Sequence, residues 1–428
     1  MYLSKLPYEI IIPEMVRVKQ KYDISAIDDI RQKIHNEFER TNVLGKIKEN
    51  DKIAITAGSR GINRIDEILR IIIEEVKTAG GNPYILSAMG SHGGNTIDGQ
   101  REILEGYGIT EEKMKSPVIC EVETVEIGKN SFGMPVYFDK LSMEADGIIA
   151  VNRIKQHTDY DGDIESGVLK MLAIGLGRRA GAQQIHELGT KGMTEVMPAS
   201  VKVILEKAPV ICGMGIVEDA IDGIANIEVM EVENIFEKER GLLRWVKENS
   251  PKFYFNSIDV LIVDEIGKNI SGVCLDTNVI GRNMVWGEDD PKTPQINRIV
   301  ALNLTDDSHG NALGVGLSDV ITKRLYEKIN FNTYYTNVMT STLLEITKIP
   351  VIGINDETAI KIALKTCWTA DKEKAKVARI KNTLSLSEIL VSRTLLETEK
   401  DNKNIEPIGE FSRMEFDEAG VIKPFLNV

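Results

Sequence analysis

Three of the five histidines in this 428-residue sequence lie in glycine-bearing segments. They are His92, His157 and His186, and Lys170 lies between the last two. Because imidazole titrates near neutral pH, two histidines on opposite sides of a substrate carbon can remove a proton from one face and return it to the other. A third, neutral histidine can hold a borderline metal such as nickel or zinc. These residue types therefore suit a racemase or epimerase.

Lys170 lies in an apolar segment that begins at Gly167 and ends at Gly177. The glycines would let a backbone or a flat ligand approach closely, and the apolar neighbours would limit solvation of the ammonium group. A lysine in such a place could be a nucleophile or an attachment point. The alternative, which the residue type alone favours, is a lysine whose ammonium group reaches water from an apolar segment.

The elements that carry these residues read as alternating strands and helices. The apolar run from Asp146 to Val151 predicts a buried strand that leads into the His157 segment, and a strand also precedes the His92 turn. Residues 51–81 predict a strand, the turn AGSRG and an amphipathic helix. A phosphate or carboxylate at the start of that helix would be stabilised by free N–H groups and by Arg60. Ligands of α/β proteins bind beyond such strand ends.

Composition limits the classes of partner. The chain is 42% hydrophobic with a net charge of −13, which argues against a general nucleic-acid or anionic-membrane partner. The four cysteines show no CxxC spacing, so a cysteine-rich metal site or a disulfide framework is not expected. The first residues lack a signal-peptide pattern and no apolar run reaches the length of a membrane span, so we expect a cytoplasmic protein.

Strand and helix patterns resume after Pro251. The sequence therefore predicts an α/β protein with two α/β domains, residues 1–251 and 252–428, and an active site in the cleft between them. We expect the first domain to carry the histidines and the lysine, and the second to contribute substrate contacts.

Four motifs in order, GSRG, GSHGGNT, KQHTDYDGDIESGVLKM and AGAQQIHE, resemble the nickel-dependent lactate racemase family. The resemblance spans about Gly58 to Glu187 and continues more weakly towards the carboxyl terminus. In that family a nickel pincer nucleotide is covalently tethered to a lysine. The resemblance implies that Lys170 is the tether and that His186 is the protein ligand of nickel. It also implies that His92 and His157 are the acid/base pair.

The resemblance further implies which groups bind the cofactor and the substrate. Cofactor contacts are expected from Lys170, Ser59, Arg60 and Gly175, and substrate contacts from Arg60 and Lys268. The implied reaction inverts C2 of a small-molecule 2-hydroxy acid by reversible hydride transfer to the cofactor, and enzymes of cofactor biosynthesis would be needed for maturation. The segment between His157 and Lys170 is longer than in the prototype. Its acidic residues either form a solvated loop or bind extra substrate hydroxyls: Asp159, Asp161, Asp163 and Glu165.

Two other functions remain open on the sequence. A zinc- or other metal-dependent hydrolase or lyase could use His92, His157 and His186 together as metal ligands. A non-catalytic homologue could keep only a carboxylate site around Arg60, since Ala57 stands where the prototype has an acidic residue. The sequence leaves the oligomeric state and the identity of the 2-hydroxy acid undetermined.

Overall fold

The computed structural model describes residues 2–3, 6, 9–22 and 26–425. The chain divides into two compact units. We call the unit formed by Asp23–His157 and Asp161–Ser250 the histidine unit, because four of the five histidines lie in it. The other unit is formed by Met1–Tyr22, Thr158–Tyr160 and Pro251–Val428, and we call it the terminal unit.

Most strands are short and strongly apolar. The strands, in chain order, are β1 Met15–Gln20, β2 Lys52–Ala57, β3 Asn82–Ser87, β4 Val118–Ile119, β5 Thr124–Lys129, β6 Pro135–Asp139, β7 Gly147–Arg153, β8 Val210–Glu218, β9 Ile224–Glu231, β10 Ser257–Val263, β11 Gln295–Ala301, β12 Val320–Thr322, β13 Val351–Gly353, β14 Val377–Ile380, β15 Glu388–Ser392 and β16 Ile405–Ser412.

Helices alternate with these strands. The α-helices are α1 Ile30–Thr41, α2 Ile65–Thr78, α3 Ile97–Gly106, α4 Glu111–Met114, α5 Lys140–Met143, α6 Val168–Lys170, α7 Arg178–His186, α8 Gly189–Lys191, α9 Met197–Lys207, α10 Ile235–Asn249, α11 Thr277–Ile280, α12 Lys323–Glu327, α13 Phe331–Ser341, α14 Asp356–Thr366 and α15 Arg393–Thr398. Wider π-helical turns occupy Met171–Gly175 and Gly192–Val196.

The histidine unit is built on a six-stranded sheet in the order β4-β3-β2-β7-β8-β9. All neighbouring strands are parallel except the antiparallel pair β8 and β9. Strand β2 exposes only its first residue, and its apolar side chains pack with those of α2 in one core. A short hairpin of β5 and β6 completes the unit. Continuous apolar strands of this kind are typical of parallel sheets covered by helices on both faces.

The terminal unit contains an eight-stranded mixed sheet in the order β13-β12-β11-β10-β14-β15-β1-β16. Its first five strands run parallel, and β15, β1 and β16 extend the sheet with antiparallel pairs. Two apolar clusters form the core of this unit.

The predicted α/β class is thus confirmed. The chain changes unit between Ser250 and Pro251, next to the expected boundary at 251/252. The expected assignment of residues 1–22 differs from the structure, because β1 pairs with β15 and β16 of the terminal unit. Local strand patterns do not reveal such distant pairing. No helix in the described part of the chain is long and apolar enough to cross a membrane.

Candidate functional site

The carboxyl ends of three neighbouring strands carry the predicted site residues of the histidine unit. Strand β2 lies between β3 and β7 and runs parallel to both, so the three carboxyl ends lie at one edge of the sheet. The chain connects β2 to β3 on one side and returns to β7 on the other, which makes the edge between β2 and β7 a topological switch point. Ligands of open α/β sheets bind at such points.

Ser59 and His92 meet across two of these loops. The Ser59 hydroxyl forms a hydrogen bond with Nδ1 of His92, and the Tyr107 hydroxyl donates to the Ser59 carbonyl at 3.0 Å. His92 is exposed, whereas Ser59 is half-buried. The bond constrains the orientation of the imidazole. Ser59 was predicted as a cofactor contact, and no local sequence pattern indicates its pairing with His92.

Lys170 lies where α6 passes into the π-helical turn. The Leu176 N–H donates to the Met171 carbonyl at 2.9 Å, five residues earlier, which defines the wider turn. A Cβ added to Gly58 would lie 3.1 Å from the methyl carbon of Met171, so the loop after β2 passes close to this turn. Turns of this type occur frequently at functional sites.

Gly175 closes the same turn against the loop after β3. Its carbonyl accepts the Gly90 N–H at 3.0 Å. A Cβ at Gly175 would lie 2.7 Å from the sulfur of Met171 and 2.9 Å from the Ala88 carbonyl oxygen. The described contacts of Gly175 therefore explain the glycine by packing, and its predicted contact with a cofactor stays a prediction.

His157, His186 and Lys170 are close enough to influence one another electrostatically. Burial and the charges of Lys170, His186 and Lys155 hold the pKa of His157 well below its ordinary value. Burial and the Lys170 charge lower the pKa of His186 to about 4. Both histidines are therefore neutral at neutral pH, as a metal ligand or a proton acceptor must be.

Glu165 holds the main chain at His157, a role that neither interpretation of the acidic segment predicted. Its buried carboxylate accepts the main-chain N–H of His157 at 2.5 Å and that of Gly162 at 3.1 Å. The ammonium group of Lys247 lies 2.5 Å from the same carboxylate. Glu165 lies within the segment that is longer than in the prototype, whereas Lys247 lies on α10, far along the chain, where no local sequence signal identifies it.

The rest of the acidic segment is divided between the two units. Asp161 is exposed and pairs with Lys247, while Asp163 lies 3.9 Å from Arg240 and is also exposed. Asp159 belongs to the terminal unit and accepts a hydrogen bond from the Thr158 hydroxyl at 2.7 Å. The segment is thus partly a solvated loop, as one of the two interpretations predicted, but Glu165 is buried and structural.

A buried cluster joins α7, which ends at His186, to strand β3. The guanidinium of Arg178 pairs with Asp139 at 2.7 Å, and both side chains are fully buried. It also donates to the Ser87 hydroxyl at 3.1 Å and to the Gln100 side-chain oxygen at 3.3 Å. Because a buried guanidinium needs a counter-ion and acceptors, the cluster ties α7 to the strand that leads to His92.

Arg60 and Lys268 are placed differently from the histidine cluster. Arg60 is exposed in the loop after β2, and α2 begins only at Ile65, so Arg60 does not flank the helix start as expected. Arg64, the residue before the helix, adopts a left-handed conformation. Lys268 lies in the terminal unit, where its ammonium group donates to the Gly272 carbonyl, and its substrate contact stays a prediction.

The described residues contain no group of three or more His, Cys, Asp or Glu side chains placed to hold a metal ion. The predicted trio of His92, His157 and His186 is thus not assembled as a set of metal ligands in this structure. His157 and His186 are neighbours, and His92 is hydrogen-bonded to Ser59.

Comparison with known proteins finds similarity to lactate racemases. The sequence model of the lactate racemase N-terminal domain matches residues 5–195. The solved structure of the lactate racemase apoprotein from Thermoanaerobacterium thermosaccharolyticum shares the fold, with a TM-score of 0.53 and 14% identity, over 87% of this chain and 99% of that chain. No curated protein matches the sequence. Residues 5–195 are therefore similar to the lactate racemase N-terminal domain, and the chain as a whole shares the fold of the lactate racemase apoprotein.

Proposed function

We propose that this protein is an isomerase that inverts C2 of a 2-hydroxy acid, with a nickel pincer nucleotide attached to Lys170. The observation that carries the proposal is the grouping of Lys170 with His157 and His186 in the domain that matches lactate racemase. Together, the lysine would provide an attachment point, one neutral imidazole a metal ligand and the other a proton acceptor.

The residues present fit the cofactor. Lys170 offers the primary amine for a covalent link, and His186 offers a neutral nitrogen nearby, since its pKa is lowered to about 4. Nickel readily accepts imidazole nitrogen. When bound, the cofactor would supply the hydride acceptor, a chemistry that no protein side chain provides. Ser59, Arg60 and Gly175 complete the set of residues proposed to contact it.

The two acid/base histidines would move the hydroxyl proton. The neutral His157 imidazole would accept that proton from one enantiomer, because its lowered pKa keeps the ring unprotonated at neutral pH. Nε2 of His92 would play the same part for the other enantiomer, with Nδ1 held by the Ser59 hydroxyl. Each histidine would donate the proton when the reaction runs in the reverse direction.

Binding of the substrate carboxylate is assigned to Arg60 and Lys268. The Arg60 guanidinium is exposed at the carboxyl edge of the sheet and could form a bidentate pair with a carboxylate. Lys268 is the proposed second cation. Enzymes that build the cofactor are the proposed maturation partners of the protein.

Mass spectrometry and a stereochemical assay test the proposal together. The protein is expressed with the enzymes that build the pincer nucleotide, and the peptide around Lys170 and the bound nickel are measured. Single enantiomers of several 2-hydroxy acids are then incubated with the protein and analysed by chiral separation. We expect a mass increase on Lys170, about one nickel per chain and appearance of the opposite enantiomer.

Lys170→Arg is the matched control, because it keeps the positive charge but has no primary amine to modify. It should lose both the adduct and the inversion. An unmodified wild-type Lys170, in conditions where a known lactate racemase acquires its cofactor, would refute the cofactor. Metal binding without an adduct would then support a metal-dependent hydrolase or lyase, and carboxylate binding without turnover would support a non-catalytic protein.

A further inference from the structure

Helix α10 contacts the Lys170 helix and the His157 loop through two charged side chains. Glu239 and Lys247 are eight residues apart on α10, so they lie on similar faces of the helix about two turns apart. Both belong to the histidine unit. Neither residue lies in the motifs that resemble the lactate racemase family.

Glu239 takes the place of an N-terminal cap for α6. The residue before α6 is Gly167, which has no side chain to accept a hydrogen bond from the first turn. The buried Glu239 carboxylate accepts the Leu169 N–H at 3.0 Å, and the Val168 N–H also stabilises its ionised form. Leu169 directly precedes Lys170, so this bond fixes the main chain next to the attachment point.

Gly167 permits this contact because it leaves room for the carboxylate. A Cβ at this position would lie 2.3 Å from Oε1 of Glu239, a separation that real atoms do not adopt. The Asn152 side-chain amide, at the end of β7, also donates to the Gly167 carbonyl at 2.7 Å. The start of α6 is therefore held from both sides.

Lys247 acts on the His157 loop through Glu165. Its ammonium group donates to the Gly162 carbonyl at 2.9 Å and lies 2.5 Å from Oε1 of Glu165. The other oxygen of Glu165 accepts the His157 N–H at 2.5 Å. Without the lysine, the buried carboxylate would lose its counter-ion, and protonation would remove one of the acceptors that hold the loop.

We propose that Glu239 and Lys247 are positioning residues on α10. Glu239 would hold the main chain beside Lys170, and Lys247 would hold the main chain at His157 through Glu165. The chemistry of those two residues rests on the proposed function, whereas the main-chain contacts do not depend on it. Removal of either side chain loosens one named segment, and the rest of the unit keeps its fold.

Amide hydrogen exchange of the protein without cofactor measures how firmly the segments at Leu169 and His157 are held. Glu239→Ala should accelerate exchange of the Leu169 amide, and Lys247→Met that of the His157 amide, each by about tenfold, the effect expected when a cap of this kind is lost. Glu239→Gln and Lys247→Arg keep an acceptor or a charge and should restore most of the protection. If Glu239→Ala or Lys247→Met fails to fold, the corresponding conservative variant is measured in its place.

Two variants are matched controls. Glu37→Ala removes another buried carboxylate that accepts a main-chain N–H, from Val229 at 3.1 Å. Lys238→Met removes another ion-paired lysine of α10, which lies 3.0 Å from Glu228. Both should leave the exchange of the Leu169 and His157 amides unchanged, even if they lower overall stability.

Loading and kinetics provide a second readout. Glu239→Ala should reduce the fraction of Lys170 that acquires the adduct, whereas Lys247→Met should lower kcat with little change in KM. The positioning proposal is overturned if the two variants change exchange no more than their controls. If exchange changes as expected while wild-type Lys170 acquires no adduct, the positioning contacts stand and the proposed function fails.

Discussion

The hydroxyl of Ser59 is hydrogen-bonded to Nδ1 of His92, although the two residues follow different strands of the sheet. This bond sets the direction of the imidazole. In Ser59→Ala the ring would rotate more freely, so we expect kcat per loaded cofactor to fall about tenfold, with little change in KM. Steady-state kinetics on single enantiomers would measure the loss.

Ser91, the residue next to His92, gives the control for this prediction. Ser91→Ala removes one hydroxyl from the loop that carries His92 and should leave kcat near the wild-type value. A drop in cofactor loading in Ser59→Ala, with normal turnover per loaded protein, would instead assign Ser59 to cofactor binding.

The positive charge of Lys170 lowers the pKa of both neighbouring histidines. Because a nearby cation disfavours the imidazolium form, Lys170→Met should raise the pKa of His157 and of His186 above its present value of about 4. Histidine titration by NMR on protein without cofactor would show both shifts. Lys155→Met is the selective control, since Lys155 acts on His157 and should leave His186 unchanged.

Burial raises the pKa of Glu239 to about 7 from an ordinary value of 4.5. The folded protein therefore binds this proton more tightly than the unfolded chain. The associated stability is fully present below about pH 4.5 and is lost as the pH rises through about 7. Relative to Glu239→Gln, the wild type should lose up to about 3 kcal/mol of unfolding free energy between those pH values.

Denaturant unfolding of both proteins at several pH values would measure this difference. Other titrating groups, including His157 and His186, cancel in the comparison because both proteins contain them. A difference that is constant with pH would show that Glu239 is ionised in the folded protein throughout, which contradicts the raised pKa.

Gly175 is required by the close approach of the π-helical turn to Ala88. Gly175→Ala should lower the unfolding free energy by about 1–3 kcal/mol, because the added methyl group meets a sulfur and a carbonyl oxygen. Gly106, near the end of α3, has nothing within 4 Å of an added Cβ, so Gly106→Ala should have little effect. Thermal or denaturant unfolding would show whether Gly175 matters for stability before any cofactor is bound.

The strand-and-loop arrangement that carries the site was accessible from the sequence. The apolar runs that form β2 and β7 and the glycine-bearing loops after β2 and β3 follow from hydrophobic pattern and turn residues, which are local properties. The start of α2 was misplaced, because the left-handed conformation of Arg64 is set by its surroundings and has no clear sequence signal.

The sequence by itself determined the α/β class, the order of the elements and the residue types of the candidate site, since each depends on neighbours in the chain. Only the tertiary structure decided which residues, distant in the sequence, contact and support the residues of the candidate site. The pairing of Lys247 with Glu165 and of Glu239 with the start of α6 joins segments about 70 residues or more apart. The physical reason is that a buried charge or N–H group must find a partner in three dimensions, and the chain brings that partner from wherever folding places it.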